Sequence, residues 1–356
     1  MLAYGILPQT NILKTCLFPK KSRKSTFQKA LYWRGNDVPS RAHPGMEIGT
    51  MRKLRLKNDG EGFYNVGTRC VDRTFRFDDD DKTHIVDQIR RMADFCGIEV
   101  NTYAVMTNHI HLLLHVLPKR ELNDDELVDR VAALYGRVKA EKLRVEWAEW
   151  RRVGGEAALQ RVEEERNALL RRMGDLSVYM KELKQWISRD YNKKVGRKGT
   201  LWEDRFWSCL LEDTAETLTS VASYIDCNAV RAGIVERPED YKWCGYAQAH
   251  AGREAAQKSL AAIYRDDKMK WAEAEERYGW LLRAVSDTPT ERQREHKMVF
   301  RRALAIGSQS FILETYARFP EVFNARKRPA EPFVTNIGEA DNAICASHKP
   351  RKVAVS

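Results

Sequence analysis

Hydrophobic and polar positions fall into register near Gly62, after a stretch, 1–50, that mixes Pro, Lys, Ser and Arg without any period. GFYNVGTRCV is rich in aromatic and β-branched residues and predicts a first strand. An acidic turn, Asp78 to Asp81, leads into DKTHIVDQIRRMADFCG, where Ile85, Ile89, Met92 and Phe95 recur at helical spacing and Gly97 marks the stop. VNTYAVM and HIHLLLHV follow as two strands joined by a short turn at Thr107-Asn108. From about Glu121 to Asn192 the period is helical and the composition strongly charged, with a break at Gly154-Gly155. Oppositely charged residues four apart make this stretch an exposed helical hairpin, an insertion at about 121–175. RFWSCLLED predicts another strand. Asp213 with Glu216 three residues on reads as a capping box for the next helix, whose buried stripe is Leu218, Val221, Ile225 and Val230 and whose stop is Gly233. Beyond His250 the chain reads as polar and helical, with an apolar patch in ALAIGSQSFILETYARF and a disordered end from about Arg326.

Composition narrows the partners. In 356 residues Lys and Arg outnumber Asp and Glu by 61 to 50, a net charge of +11 that suits a polyanion such as nucleic acid. No apolar run approaches the roughly 20 residues of a membrane span. The seven cysteines are scattered and none forms CxxC, which predicts reduced thiols in a cytoplasmic protein. The surplus charge concentrates in LKQWISRDYNKKVGRKGTLWEDRFW. There Lys184, Arg189, Lys193, Lys194, Arg197, Lys198 and Arg205 interleave with Trp186, Tyr191, Trp202, Phe206 and Trp207. Cations track phosphates and rings stack on bases, so single-stranded or hairpin DNA is the expected partner, with Trp202 as a stacking candidate. The plainer reading is a solvated basic helix whose aromatics belong to the core.

The candidate chemistry starts at Asn108-His109-Ile110-His111-Leu112. Side chains alternate along a strand, so His109 and His111 share a face and can hold a divalent metal, expected to be Mg2+ or Mn2+. In SYIDCNAVRAG, Tyr224 and Asn228 stand four apart on the predicted helix. That places a nucleophile beside an amide oxygen able to complete the metal site. His115 shares the strand face as a further ligand candidate, and Tyr191 in the basic stretch is a rival nucleophile. Arg69 and Arg73 could meet phosphates. A lone H-x-H is a weak signal, and a helical tyrosine is more often a packing residue. The combination carries the reading.

Four stretches, YNVGTRCVDRTF, YAVMTNHIHLLLHV, GRKGTLWEDRFWSCLLED and YIDCNAVRAGIVERPEDYKWCGYAQAH, resemble the HUH single-tyrosine transposases, the group that includes the REP-associated tyrosine transposases. The resemblance spans about 60 to 250. It implies an α+β, ferredoxin- or RRM-like antiparallel sheet with helices on one face, within a domain at 51–250; the mostly helical extension at 251–356 is read from its own residue pattern and lies beyond the resemblance. It also implies His109 and His111 as metal ligands, Tyr224 as nucleophile and Asn228 as completing the metal site. The reaction would be metal-dependent cleavage and transfer of single-stranded DNA through a phosphotyrosine, and a homodimer is compatible with it. Ala229 stands where the family often has Pro, and the charged insertion is longer than the family pattern. Two other readings stand beside this one: a non-catalytic nucleic-acid-binding protein on the same sheet, and a metal-dependent RNA nuclease that needs a general base instead of a tyrosine.

Overall fold

The computed structural model describes residues 55–286 except 59 and 75, then 300, 303–320 and 322, and the backbone of two short strands at 333–334 and 343–346. The N-terminal stretch 1–50 lies outside the described residues. So does most of the end from about 326.

Four antiparallel strands form the centre. They are β1 (Gly62–Arg69), β2 (Ile98–Val105), β3 (His109–Val116) and β4 (Trp207–Leu211), in the order β2-β3-β1-β4. β1 is antiparallel to both β3 and β4, as in the expected ferredoxin-like α+β sheet. Helix α1 (Asp79–Cys96) crosses between β1 and β2. Its capping box is Asp78 with Asp81, its first turn is acidic where the helix dipole favours negative charge, and Gly97 ends it with a φ of 64°.

Every residue of β1 but the last is buried, as is every residue of β3 but His109, so both faces of the sheet are covered. The expected single helical layer is α1 with α5 (Leu176–Lys194), joined to each other where Tyr179 donates to the Ile89 carbonyl and to the sheet where Arg90 donates to the Tyr103 hydroxyl. A second layer covers the face that bears the histidines. In it, α6 (Ala215–Asp226) packs on β2 and β3, α8 (Gly245–His250) and α9 (Glu254–Ala261) meet β2, and α7 (Asn228–Arg231) and α10 (Trp271–Ser286) pack against α6.

The charged stretch between β3 and α5 folds as α2 (Asp124–Tyr135), α3 (Arg137–Val153) and α4 (Glu156–Leu170), and α3 and α4 part at Gly154-Gly155. The C-terminal apolar patch does more than add helix. It supplies β5 (Ala303–Gly307), which pairs parallel to β4, and then α11 (Gln309–Arg318). Strands β6 (Phe333–Val334) and β7 (Ala343–Ala346) continue the sheet beyond β5, giving the full order β2-β3-β1-β4-β5-β7-β6. Such short segments carry too little alternation to announce strands; pairing with an existing edge creates them. Among the described residues no helix is long and apolar enough to cross a membrane, and Cys70, Cys96, Cys209, Cys227 and Cys244 are buried free thiols.

Candidate nucleic-acid processing site

The register of β1 against β3 sets one face of the sheet. Gly67 lies opposite His111, Asn65 opposite Leu113 and Phe63 opposite His115, so His109, His111 and His115 all point to the α6 side. The rings of His109 and His111 stand 5.1 Å apart, edge to face. Trp207, across β1, brings its ring to 5.5 Å from His111. It can do so because residue 67 is glycine: a Cβ there would fall 2.3 Å from the indole.

Asn108 fixes the orientation of His109. Its Nδ2 donates to the Arg73 carbonyl at 2.8 Å, so Oδ1 is the amide atom that faces His109 Nδ1, at 2.7 Å. An amide oxygen only accepts, so Nδ1 carries the proton and Nε2 carries the lone pair. That is how metal-binding histidines are commonly set.

Tyr224, near the end of α6, brings its ring to 6.0 Å from that of His111. The tyrosine is 5% exposed. Phe300 stacks on it with ring centroids 4.3 Å apart, and the Arg231 guanidinium lies 4.0 Å from its centroid. A residue from the C-terminal third is thus packed into the candidate site.

Asn228 is not one turn along a continuous helix, as its spacing suggested. The helix stops at Asp226, Cys227 takes a φ of −79° and ψ of 8°, and Asn228 opens α7. The cause is local competition. Asn228 Nδ2 donates to the carbonyls of Tyr224 and Ile225, at 3.3 and 3.0 Å, and the Arg231 guanidinium also donates to the Tyr224 carbonyl. With Nδ2 turned to the helix end, Asn228 Oδ1 points away from it. The cap of α6 is also one residue later than predicted. Thr214 accepts from Thr217 N, while Asp213 pairs with Arg265.

Asp226, which no motif or periodicity marks, ties α6 to the sheet alongside the buried Leu218, Val221 and Ile225. It is fully buried and accepts from the Thr102 hydroxyl at 2.8 Å, the Tyr278 hydroxyl at 2.7 Å and Tyr246 N at 3.1 Å. Burial pushes its pKa up to about 6 against the pull of these donors. Thr102 faces α6 only because β2 carries a bulge between Val100 and Thr102, which moves Thr102 to the histidine face.

The two rival residues fall elsewhere. Both His115 nitrogens are occupied, by Glu99 at 2.7 Å and Glu61 at 2.6 Å, and its ring stacks on Phe63. Those carboxylates take the place a metal would need. Burial alone would lower the His115 pKa, but the two carboxylates together hold it above the usual imidazole value. Tyr191 sits on α5 against Phe77, in the layer over the opposite face from the histidines.

The basic segment divides. Trp202 is 8% exposed and its indole N–H donates to the Lys184 carbonyl, so the expected stacking ring is a core residue. Lys184 donates to the Asp204 carbonyl, and burial, followed by Arg55 and Arg205, pulls its pKa down to about 8. Lys194 is tied to Asp78 and Asp81 at the cap of α1, and Arg197 donates to the Thr200 carbonyl. Arg189, Lys193, Lys198 and Arg205 remain at the surface. The loop that ends in Trp207 runs beside the His109 end of the sheet, through a Cys70–Trp202 bridge and a Glu203 N to Arg69 carbonyl bond. Arg73 reaches Glu203 at 3.7 Å.

No family model and no curated protein matches the chain. Among solved structures it is similar to a REP-associated tyrosine transposase bound to a REP hairpin, at 16% identity over 62% of this chain and 97% of that chain, with a TM-score of 0.36.

The two imidazoles share a strand face with ring centroids 5.1 Å apart, and imidazole is a borderline donor common on divalent transition metals. Among the described residues no group of three or more His, Cys, Asp and Glu converges on one point. The Asn228 amide makes its hydrogen bonds to the end of α6, at the Tyr224 and Ile225 carbonyls.

Proposed function

We propose that this protein cleaves and rejoins single-stranded or hairpin DNA through a phosphotyrosine formed on Tyr224, with His109, His111 and Asn228 holding Mg2+ or Mn2+. The single observation that carries the reading is the 6.0 Å approach of the Tyr224 ring to His111, from a helix more than a hundred residues away in sequence. Neither motif alone has that meaning; a nucleophile set beside an imidazole pair does.

A bound divalent ion supplies Lewis acidity at a phosphate oxygen. The chain's own residues do the rest. Asn108 holds the His109 tautomer, Asp226 anchors the helix that carries the nucleophile, and Tyr224 Oη attacks phosphorus in line. The P–O3′ bond breaks, O3′ takes a proton from water, and the phenolic proton passes to water. The ester linkage is retained on the tyrosine, so the freed 3′-hydroxyl can reverse the step without ATP. Surface cations Arg189, Lys193, Lys198 and Arg205 guide the strand toward the His109 end of the sheet. The enzyme belongs to the transposase type of strand transferase or to a domesticated relative.

The test uses labelled single-stranded DNA from the flanks of the protein's own gene, allowed to form hairpins and incubated with Mg2+ or Mn2+. The expected result is a protein–DNA adduct that survives denaturation, requires metal, and disappears in Tyr224→Phe and His109→Ala. An adduct that persists in Tyr224→Phe sinks the choice of nucleophile.

A second reading is a non-catalytic nucleic-acid-binding protein. The burial of Tyr224 under Phe300 favours it, since a nucleophile must be reached by its phosphate. Binding with no adduct on any strand is its signature.

A further inference from the structure

The geometry points to Arg231 as an oxyanion-holding side chain, one that takes a non-bridging oxygen of the phosphodiester attacked by Tyr224. The inference rests on the reading of Tyr224 as nucleophile and adds a residue to it. Arg231 closes α7, and the break at Cys227 folds that helix back so that the guanidinium lies 4.0 Å from the Tyr224 ring centroid. One arm, Nη2, donates to the Tyr224 carbonyl. The other arm, Nη1, is buried and has no hydrogen-bond partner among the described residues.

That orphan is the deciding feature. Buried donors are almost always paired, and an arginine stays charged in a protein interior, so an unpaired guanidinium arm is costly unless something else takes it up. A purely structural role, capping the carbonyl end of α6 and stacking on the Tyr224 ring, accounts for Nη2 and the guanidinium face and leaves Nη1 without an acceptor among the described residues. A phosphate oxygen accounts for it. Guanidinium forks match phosphate geometry, and this one is tethered to the backbone of the attacking residue. During attack the Oη–P bond forms as the P–O3′ bond breaks, and charge builds on the non-bridging oxygens. A donor fixed in advance at that point stabilises the developing charge with little reorganisation.

Two measurements on the full chain test this. Crystals are soaked in tungstate, a tetrahedral oxyanion standing in for phosphate. The expected result is a tungsten peak within hydrogen-bond reach of Arg231 Nη1 that is absent in Arg231→Gln; a wild-type crystal with no tungsten there overturns the inference. Adduct formation is then followed at saturating DNA with Mn2+. Arg231→Gln should lower the maximal rate by about 100-fold or more, with half-saturating DNA little changed, and added guanidinium ion should restore part of the rate. Arg231→Lys keeps charge and tether, guards against a folding defect, and should fall between. Wild-type rates in both variants also overturn the inference. If wild type forms no adduct, the strand-transfer reading fails while the tungsten peak still decides whether Arg231 holds an oxyanion.

Discussion

At the scale of single residues, the site depends on hydrogen bonds that settle which atom faces which. Asn108 is the clearest case. Because its Nδ2 is committed to the Arg73 carbonyl, its oxygen fixes the proton of His109 on Nδ1. Asn108→Ala should weaken Mn2+ binding by about tenfold or more while leaving the melting temperature near wild type, measured by calorimetric titration; unchanged affinity would mean that His109 is oriented some other way. His115 gives a pH signature instead. It faces Glu61 and Glu99, and Arg265 acts on Glu99 in turn. Its folded pKa lies above the unfolded value of about 6.5. The charged form is therefore favoured by folding, and the stabilisation is complete below about pH 6.5 and fades as pH rises through the folded value. Thermal melts of His115→Gln from pH 5 to 9 should lose that slope. Asn108 stood in plain view in NHIHLLLHV, but its role was not legible, because it depends on Arg73, a residue on another loop. The engagement of His115 by two carboxylates, Glu99 on β2 and Glu61 just ahead of β1, was hidden for the same reason.

At the scale of elements, the placement of α6 matters more than its existence. Its amphipathic stripe was legible from Leu218, Val221 and Ile225. Its attachment was not, because it rests on a bulge in β2 that turns Thr102 toward Asp226. Removing that carboxylate with Asp226→Ala leaves Thr102, Tyr278 and Tyr246 N with buried groups unpaired, and should cost about 3–5 kcal/mol in a denaturant titration. Asp226→Asn keeps the shape and most of the hydrogen bonds and should cost much less. If the two variants lose stability equally, the carboxylate network is not what anchors the helix. The end of α6 carries a similar lesson. A four-residue spacing implied a shared helical face for Tyr224 and Asn228, but the Asn228 amide takes the carbonyls a continuing helix would use. Trp202 shows the same limit in the basic segment, since an aromatic among lysines looks identical in sequence whether it stacks on bases or fills the core.

At the scale of the whole molecule, the sheet is a junction between distant parts of the chain. The histidines come from its centre and the tyrosine from a helix beyond the charged insertion. Phe300 comes from the C-terminal third, just ahead of the strand that extends the sheet past β4. Covering both faces turns the histidine side into a site walled by helix instead of an open platform. The positive charge is spread in the same way. Part of it, as at Lys194, holds elements together, and part stays at the surface beside the His109 end of the sheet.

Local patterns are written in neighbouring residues, so the sequence by itself determined the α+β class, the order of the first strands and helices, the break at Gly154-Gly155 and the shared face of His109 and His111. The tertiary structure decided what depends on residues far apart in the chain. It set Tyr224 beside His111 and Phe300 against Tyr224, occupied His115, buried Trp202, and left one arm of Arg231 without a partner among the described residues. Periodicity reports how a segment meets water or core. Only the packed fold reports which other segment it meets there.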